Sequence, residues 1–443
     1  MEIAELSEIL RQNGIVGAGG AGFPTYGKLN AAADLILLNC AECEPLLKLH
    51  RQVLEEHAQE ILKALHLVAK TLGARAVIGI KGEYKATLCA LEEWMGEYPE
   101  MTIHRLPGAY PMGDEVVLIY EATGRVVRPG GLPIECGVAV FNVETMYNIY
   151  RAVWEHRPVI DKYVSVVGEV EHPVTVRVPI GMQIREVVAL AGGVTVKNPV
   201  YLLGGPMMGS FGSELGPVTK TTNAVIVLPE DHPLIYRKKP NIRHAVARAA
   251  SCCCQCRTCT DLCPRHALGH PIEPHAFMRA AANRDVQNVE PFVNTLFCSS
   301  CGLCEMYSCP QGLSPRSIMA QYKSGLRKSG MKPPKVQTAP VDPAREYRRV
   351  PKERLTARLG LVEYDKAAPL DDSLQKAGQV KINLSQHIGV PARALVQVGD
   401  RVQAQQVIAE AAEGLSVSIH ASIAGRVAEV TDRSIALTAE NVL

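Results

Sequence analysis

Ten of the 14 cysteines lie between Cys252 and Cys309, and their spacing restricts this chain more than any other feature. Cys253-x2-Cys256-x2-Cys259-x3-Cys263 runs into Pro264, and Cys298-x2-Cys301-x2-Cys304-x4-Cys309 runs into Pro310. Three thiolates spaced by two residues wrap one face of a four-iron cubane, and a fourth placed before proline reaches across to the other cluster in two-cluster proteins. The expected ligand sets are therefore Cys253, Cys256 and Cys259 with Cys309, and Cys298, Cys301 and Cys304 with Cys263. Zinc is the competing reading of a single Cys-x2-Cys pair, because structural zinc sites use four thiolates at similar spacing. Two complete runs, each closed by Cys-Pro, favour a pair of [4Fe–4S] clusters. Cys252 and Cys254 flank a ligand and could replace it through a register slip, but only Cys253 keeps the regular spacing, so both are read as bystanders. Cys89 and Cys136 read as small buried hydrophobes.

A pair of cubanes carries single electrons and makes no bonds, so another part of the chain must receive a substrate. At 443 residues the chain has room for about three domains. Its 47% hydrophobic and 21% charged residues exclude disorder along the whole chain, and 5% aromatics gives no sign of base-stacking platforms. A formal charge of +2 is too balanced for a basic footprint, so neither nucleic acid nor a polybasic membrane anchor is expected. No apolar run approaches the ~18 residues of a membrane span, and the start Met1-Glu2-Ile3-Ala4-Glu5 is acidic where a signal peptide would be basic. The chain reads as soluble, unexported and housed in a reducing compartment.

Along the chain, Ile3, Leu6, Ile9 and Leu10 have helical spacing that Gly14 ends, and a glycine-rich loop follows. An apolar strand at 35–38, an amphipathic helix from Val53 to Leu72 stopped by Gly73, and a second strand at 76–80 imply a parallel α/β sheet. From about Tyr163 short alternating runs suggest a small α+β domain. Pro333, Pro334, Pro340, Pro343 and Pro351 then fall among charged residues, the composition of an extended linker. From about Lys381 β-like runs punctuated by Gly389, Gly399, Gly414 and Gly425 suggest a closing all-β module.

The glycine loop alone is compatible with a plain tight turn. However, Gly17-Ala18-Gly19-Gly20-Ala21-Gly22-Phe23-Pro24-Thr25-Tyr26-Gly27-Lys28, Asn39-Cys40-Ala41-Glu42-Cys43-Glu44-Pro45, Tyr110-Pro111-Met112-Gly113-Asp114-Glu115 and Asn142-Val143-Glu144-Thr145 occur in order. Together they resemble the FMN and NADH site of the flavin subunit of respiratory NADH dehydrogenases, and more closely the RnfC component of Rnf complexes. The resemblance implies that Gly17, Gly19, Gly20, Gly22 and Lys28 hold the FMN phosphate, where backbone amides and a cation neutralise a dianion, with Ala21 and Phe23 among the cofactor-binding residues. It places Asn39 and Asn142 near the isoalloxazine, Glu42, Glu44 and Glu115 around flavin and nicotinamide, and Tyr110, Gly113 and Asp114 in the same cofactor-binding set. Glu44 is the implied catalytic residue, on the nicotinamide side of the flavin. The other reading of the glutamates is a solvated surface. Ala18 and Ala41 stand where the respiratory protein has arginine and aspartate, so the NADH contacts match less well than those to flavin.

Two clusters rather than one favour the Rnf-like branch, in which a β-grasp (SLBB-like) domain lies between flavin and clusters. The implied fold is multidomain α/β plus α+β. It comprises a Rossmann-like FMN/NADH domain over 1–158, a β-grasp domain over 159–236, a helical two-cluster ferredoxin-like domain over 237–330, a proline-rich linker over 331–372 and a barrel-sandwich module over 373–443. The last resembles lipoyl and biotinyl domains, but no lysine follows Lys381, which excludes a swinging arm and leaves scaffold or docking surface. Its place at the C-terminus resembles the cobalamin reductases of the propanediol-utilisation microcompartment. Membership there implies NADH as donor, FMN, two [4Fe–4S] clusters, a corrinoid acceptor carried by an adenosyltransferase, shell proteins as further partners, and a cytoplasmic location inside a bacterial microcompartment. An Rnf-like NADH:ferredoxin electron-transfer protein and a non-enzymatic electron relay are the alternatives. No Asp-x-His-x-x-Gly run for base-off cobalamin occurs, so a tightly held corrinoid is not expected.

Overall fold

The computed structural model describes residues 1–285 and 287–440; the last three residues of the expected C-terminal module lie outside the described residues. Helix α1 (Ile3–Gln12) leads into the glycine loop, and strand β1 (Leu35–Cys40) follows. Then come α2 (Leu49–Glu56), α3 (Ala58–Leu72), β2 (Arg75–Lys81), α4 (Lys85–Met95), β3 (Met101–Leu106), β4 (Ala109–Tyr110), α5 (Glu115–Thr123), β5 (Val138–Asn142) and α6 (Val143–Trp154). Helix α3 stops at Gly73, whose φ of 65° suits a residue without Cβ. The four longer strands form a parallel sheet in the order β3-β2-β1-β5. Both faces are covered, which is why Leu35, Ile36, Leu37 and Leu38 are all buried. The register sets Asn39 opposite Asn142 on the neighbouring strand, so two amide side chains stand together at the carboxyl ends of β1 and β5. Open α/β sheets bind their ligands at this edge.

A second, mixed sheet contains β6 (Asp161–Gly168), β7 (Val174–Pro179), β8 (Pro199–Leu203), β9 (Ser210–Gly212) and β10 (Ala224–Pro229), with a short helix at Ile184–Ala189. A buried charge cluster joins it to the first domain. Asp161 at the start of β6 takes both guanidinium nitrogens of Arg151 from α6 at 2.7 Å and Arg177 from β7 at 2.9 Å. Burial, the largest influence, would raise the Asp161 carboxyl, but the two guanidiniums together outweigh it and hold the group below the usual carboxylate range. The stability this cluster lends is therefore present above the unfolded value near 4 and is lost as pH falls through the lower folded one.

Short helices from Ile242–Cys252 to Pro315–Lys328 carry the cysteines. The stretch 331–372, expected as an extended linker, is tied down in its second half. Strand β11 (Val350–Pro351) pairs with β4, the helix Lys352–Arg358 follows, and β12 (Leu370–Leu374) adds a parallel edge strand to β7. Val350, Leu355, Leu359, Leu361 and Tyr364 are the buried residues responsible; they are too widely spaced among charges to register in average composition. The expected boundary at 372/373 consequently falls inside β12. Beyond it, a four-stranded and a three-stranded antiparallel sheet make up the C-terminal module. Among the described residues no helix is long and apolar enough to cross a membrane.

Candidate active site

A cavity of about 460 Å³ opens at the carboxyl edge of the parallel sheet, within the size range of small-molecule sites. Of the residues expected to bind cofactor, Gly17, Gly19, Gly20, Ala21, Gly22, Phe23, Lys28, Asn39, Gly113, Glu115 and Asn142 line it. The glycine loop is closed by the Gly17 amide donating to the Phe23 carbonyl at 2.9 Å. Among the described residues the successive amides of Gly19, Gly20, Ala21 and Gly22 donate to no protein group. Such a run of free N–H groups is a nest for an anion. The loop must approach the sheet closely: a Cβ on Gly19 would lie 2.5 Å from Asn142 Nδ2.

Lys28 Nζ donates to the Val140 carbonyl at 2.8 Å and stands 3.7 Å from Glu115, so one cation and its counter-charge flank the loop. Asn39 donates to the Gly113 carbonyl at 3.0 Å, and Asn142 caps α6 by accepting from the Glu144 amide. Behind Asn142 lies His50, whose Nε2 is 3.3 Å away. Burial holds His50 near pKa 3, so the ring is neutral. Its backbone amide donates to Glu42 Oε1 at 2.9 Å. Thr25 also lines the cavity, with a buried hydroxyl that has no partner. A cradle of free amides, an unpartnered hydroxyl, a lysine and an apolar wall fits a flavin phosphoester. Sequence reading missed Thr25, His50, Leu132, Pro133 and Ile134. Thr25 sits within the quoted loop and could have been taken from it; the others carry no motif.

Four expected residues do not line the cavity. Glu42 is buried behind it, one carboxylate oxygen unpartnered, and burial raises its pKa. Glu44 turns toward the second sheet, accepting from the amides of Met207 at 2.8 Å and Met208 at 2.9 Å. Burial raises its carboxyl despite these bonds and the charges of Lys238 and Arg316. In this position Glu44 acts as a bolt between two domains. Tyr110 donates its hydroxyl to the Cys301 carbonyl at 2.7 Å, and Asp114 pairs with Arg265 at 2.9 Å. Both fasten the flavin domain to the cysteine domain. Glu44→Ala is expected to lower stability by about 1–3 kcal/mol, the cost of orphaning a buried donor. A thermal melt of the cofactor-loaded protein measures this, and an unchanged midpoint refutes the bolt.

The cysteines form two groups. Cys253, Cys256, Cys259 and Cys309 surround one small cavity, which the flanking Cys254 also lines. Cys263 lies beside Cys298, and both lie close to Cys301 and Cys304. Both runs twist alike: Gln255 and Ser300 have φ of 53° and 62°, and Arg257 and Gly302 have 64° and 85°. This left-handed backbone turns amides toward sulfur, as where Ser300 donates to Cys298 Sγ at 3.3 Å; likewise, after Gly312 at φ 58°, Leu313 donates to Cys309 Sγ at 3.4 Å. Burial, then neighbouring thiols, pushes Cys259 to about 12; burial carries Cys263 to about 11. Hydrogen bonds from Thr258, by contrast, lower the Cys256 thiol; a bound cation would hold the buried thiols as thiolates. Two groups of four cysteines suit a pair of cubanes. Cys252 and Cys254 are exposed. Cys136 is half-buried, and Cys89 is exposed, contrary to its expected burial.

Four family models match the chain. They are the Nuo51 FMN-binding domain over 10–151, the SLBB domain over 163–211, the 4Fe-4S dicluster domain over 252–314 and the RnfC barrel sandwich hybrid domain over 364–442. The cobalamin reductase PduS of Salmonella typhimurium is 43% identical over 97% of this chain and 96% of its own. That of Citrobacter freundii is 41% identical over 97% and 95%. A component of the ion-translocating oxidoreductase complex of Edwardsiella ictaluri is 34% identical over 59% of this chain and 32% of its own. An NAD+-reducing [NiFe]-hydrogenase structure superposes with a TM-score of 0.50 at 20% identity, covering 75% of this chain and 64% of that one, which shows likeness of fold alone.

Proposed function

The chain belongs to the cobalamin reductase PduS family, and from that premise we propose that the glycine-lined cavity is its FMN site and the two cysteine groups its cluster sites. The protein is an NADH-linked flavin and iron–sulfur oxidoreductase that reduces cobalamin. The observation carrying the site assignment is the cavity itself, where free amides, the unpartnered Thr25 hydroxyl and Lys28 meet at the edge of the parallel sheet.

When bound, FMN would supply the passage from hydride to single-electron chemistry, and [4Fe–4S] clusters would supply one-electron transfer. The chain's own residues supply position and potential. Gly19, Gly20, Ala21 and Gly22 offer amides to the phosphate, and Lys28 offsets its charge. Asn39 and Asn142 present amides to the polar edge of the ring, with neutral His50 holding Asn142. Pro133, Ile134 and Phe141 keep water from the apolar wall. The group of Cys263, Cys298, Cys301 and Cys304 is the inner one, joined to the flavin domain through Tyr110 and through Arg265 next to Pro264. The group of Cys253, Cys256, Cys259 and Cys309 is the outer one: Cys256 is exposed, whereas Cys301 and Cys304 are buried. A corrinoid delivered on an adenosyltransferase would meet the protein on this outer side, within a microcompartment.

Anaerobic NADH oxidation with three acceptors tests the reading. Cob(III)alamin is expected to be reduced faster than ferredoxin at equal concentration. Faster ferredoxin reduction would favour the Rnf-like alternative, and no turnover even with a dye acceptor would leave only a relay. Association with a corrinoid adenosyltransferase is measured by pull-down of the anaerobic holoprotein.

A further inference from the structure

The flavin cavity is not built by the flavin domain alone. Ile388, 366 positions beyond Gly22 in the chain, lines it together with the glycine loop. Its backbone amide donates to the Gly22 carbonyl at 3.3 Å. Gly22 has φ of +72°, and a Cβ there would lie 2.8 Å from the Gln386 carbonyl oxygen and 3.2 Å from His387 Cα, so loop and turn are fitted to one another. The turn is itself held. The Gln386 side chain accepts from the Lys220 amide at 3.0 Å, and Lys220 Nζ donates to the Gly14 carbonyl at 2.6 Å. Around it the module grips the chain's start: the Ser418 amide donates to the Arg11 carbonyl at 3.1 Å, and the Tyr26 hydroxyl accepts from the Ser416 amide at 3.2 Å.

We propose that the C-terminal module is part of the flavin site, the 386–388 turn seating the glycine loop and Ile388 covering the phosphate end of the cavity. Ile388 is 49% exposed, an apolar side chain left at the cavity mouth for a ligand to cover. A barrel-sandwich module without its lysine arm thereby has a use that neither scaffold nor docking surface describes. The module stands at the C-terminal end of this chain, yet the turn meets the flavin loop near the N-terminal end, so its place in sequence does not set its place in space.

The inference rests on the FMN reading of the cavity, and the test separates the two. FMN binding to the cluster-loaded protein, stripped of flavin, is followed by fluorescence quenching for wild type, Ile388→Asp, Ile388→Lys and Val398→Asp; Val398 is an exposed residue of the same module outside the cavity. A carboxylate beside the phosphate is expected to weaken FMN by about tenfold or more, whereas the lysine retains or tightens it, as charges near a desolvated dianion do. Riboflavin, which lacks the phosphate, should separate the two Ile388 variants far less. Val398→Asp should match wild type. Opposite signs for the two Ile388 variants cannot come from misfolding. If wild type binds FMN and both variants bind it equally well, the proposal is wrong while the flavin site stands. If wild type binds no FMN, the reading of the cavity fails and the proposal with it.

Discussion

Replacing Cys309 by alanine is expected to remove the cluster that Cys253, Cys256 and Cys259 would hold, and to leave in place the one assigned to Cys263, Cys298, Cys301 and Cys304. Although Cys309 closes the second sequence run, its thiol stands in the cavity of the first. A cubane that loses one of four thiolates is open to solvent at one iron, and this outer site is the less covered of the two. Iron and acid-labile sulfide should fall from about eight of each per chain to about four after anaerobic reconstitution. FMN content should stay unchanged, because among the described residues the two cavities share no lining residue. Cys263→Ala is the reciprocal experiment. It should spare the outer cluster and cut reduction of the acceptor by NADH most severely, since the inner group is the one bonded to the flavin domain. Electron paramagnetic resonance of the dithionite-reduced variants distinguishes the two losses. A Cys309 variant lacking only the inner signal would refute the crossed arrangement.

The sequence made the clusters legible because a cubane imposes its spacing on consecutive residues. Much of the cavity lining was legible for a related reason: the glycine loop, Lys28, Asn39, Gly113, Glu115 and Asn142 are contributed by one parallel sheet and the loops at its carboxyl edge. Three of the expected residues that do not line the cavity share a cause. Glu44, Tyr110 and Asp114 sit within the same motifs, yet their side chains are turned across domain boundaries to Met207 and Met208, Cys301 and Arg265. A motif specifies where the backbone runs, and the direction of a side chain at a domain edge depends on a partner distant in sequence.

The same argument covers what went unseen. Strand β12 is Leu-Asp-Asp-Ser-Leu, without alternation, and exists because the edge of β7 needs backbone partners. Ile388 has no local signature, since its role depends on where Gly22 lies. His50 resembles any polar residue early in an amphipathic helix until Asn142 is placed beside its ring. These positions are fixed by packing between units that periodicity treats one at a time.

Lys28→Ala should release FMN on dilution while both clusters persist. Lys28 is the cavity's cation, and its side chain is 28% exposed, so part of its charge is screened by solvent before the phosphate arrives. Its ammonium is shared between the Val140 carbonyl and Glu115, contacts that hold it in the cavity lining. Losing a hydrogen bond to a charged group costs about 1.5–3 kcal/mol, which is roughly ten- to hundredfold in affinity. Removal also frees the Glu115 carboxylate at the mouth, a like charge to the phosphate, so the observed loss should sit toward the upper end. Lys28→Arg restores the cation and should recover most of the affinity, while Lys28→Ala/Glu115→Gln should recover only the share due to repulsion. Equilibrium titration of flavin-stripped protein, with iron content as the internal standard, gives all three numbers. FMN affinity unchanged in Lys28→Ala would make this lysine a surface residue and leave the free amides of the loop as the whole of the phosphate site.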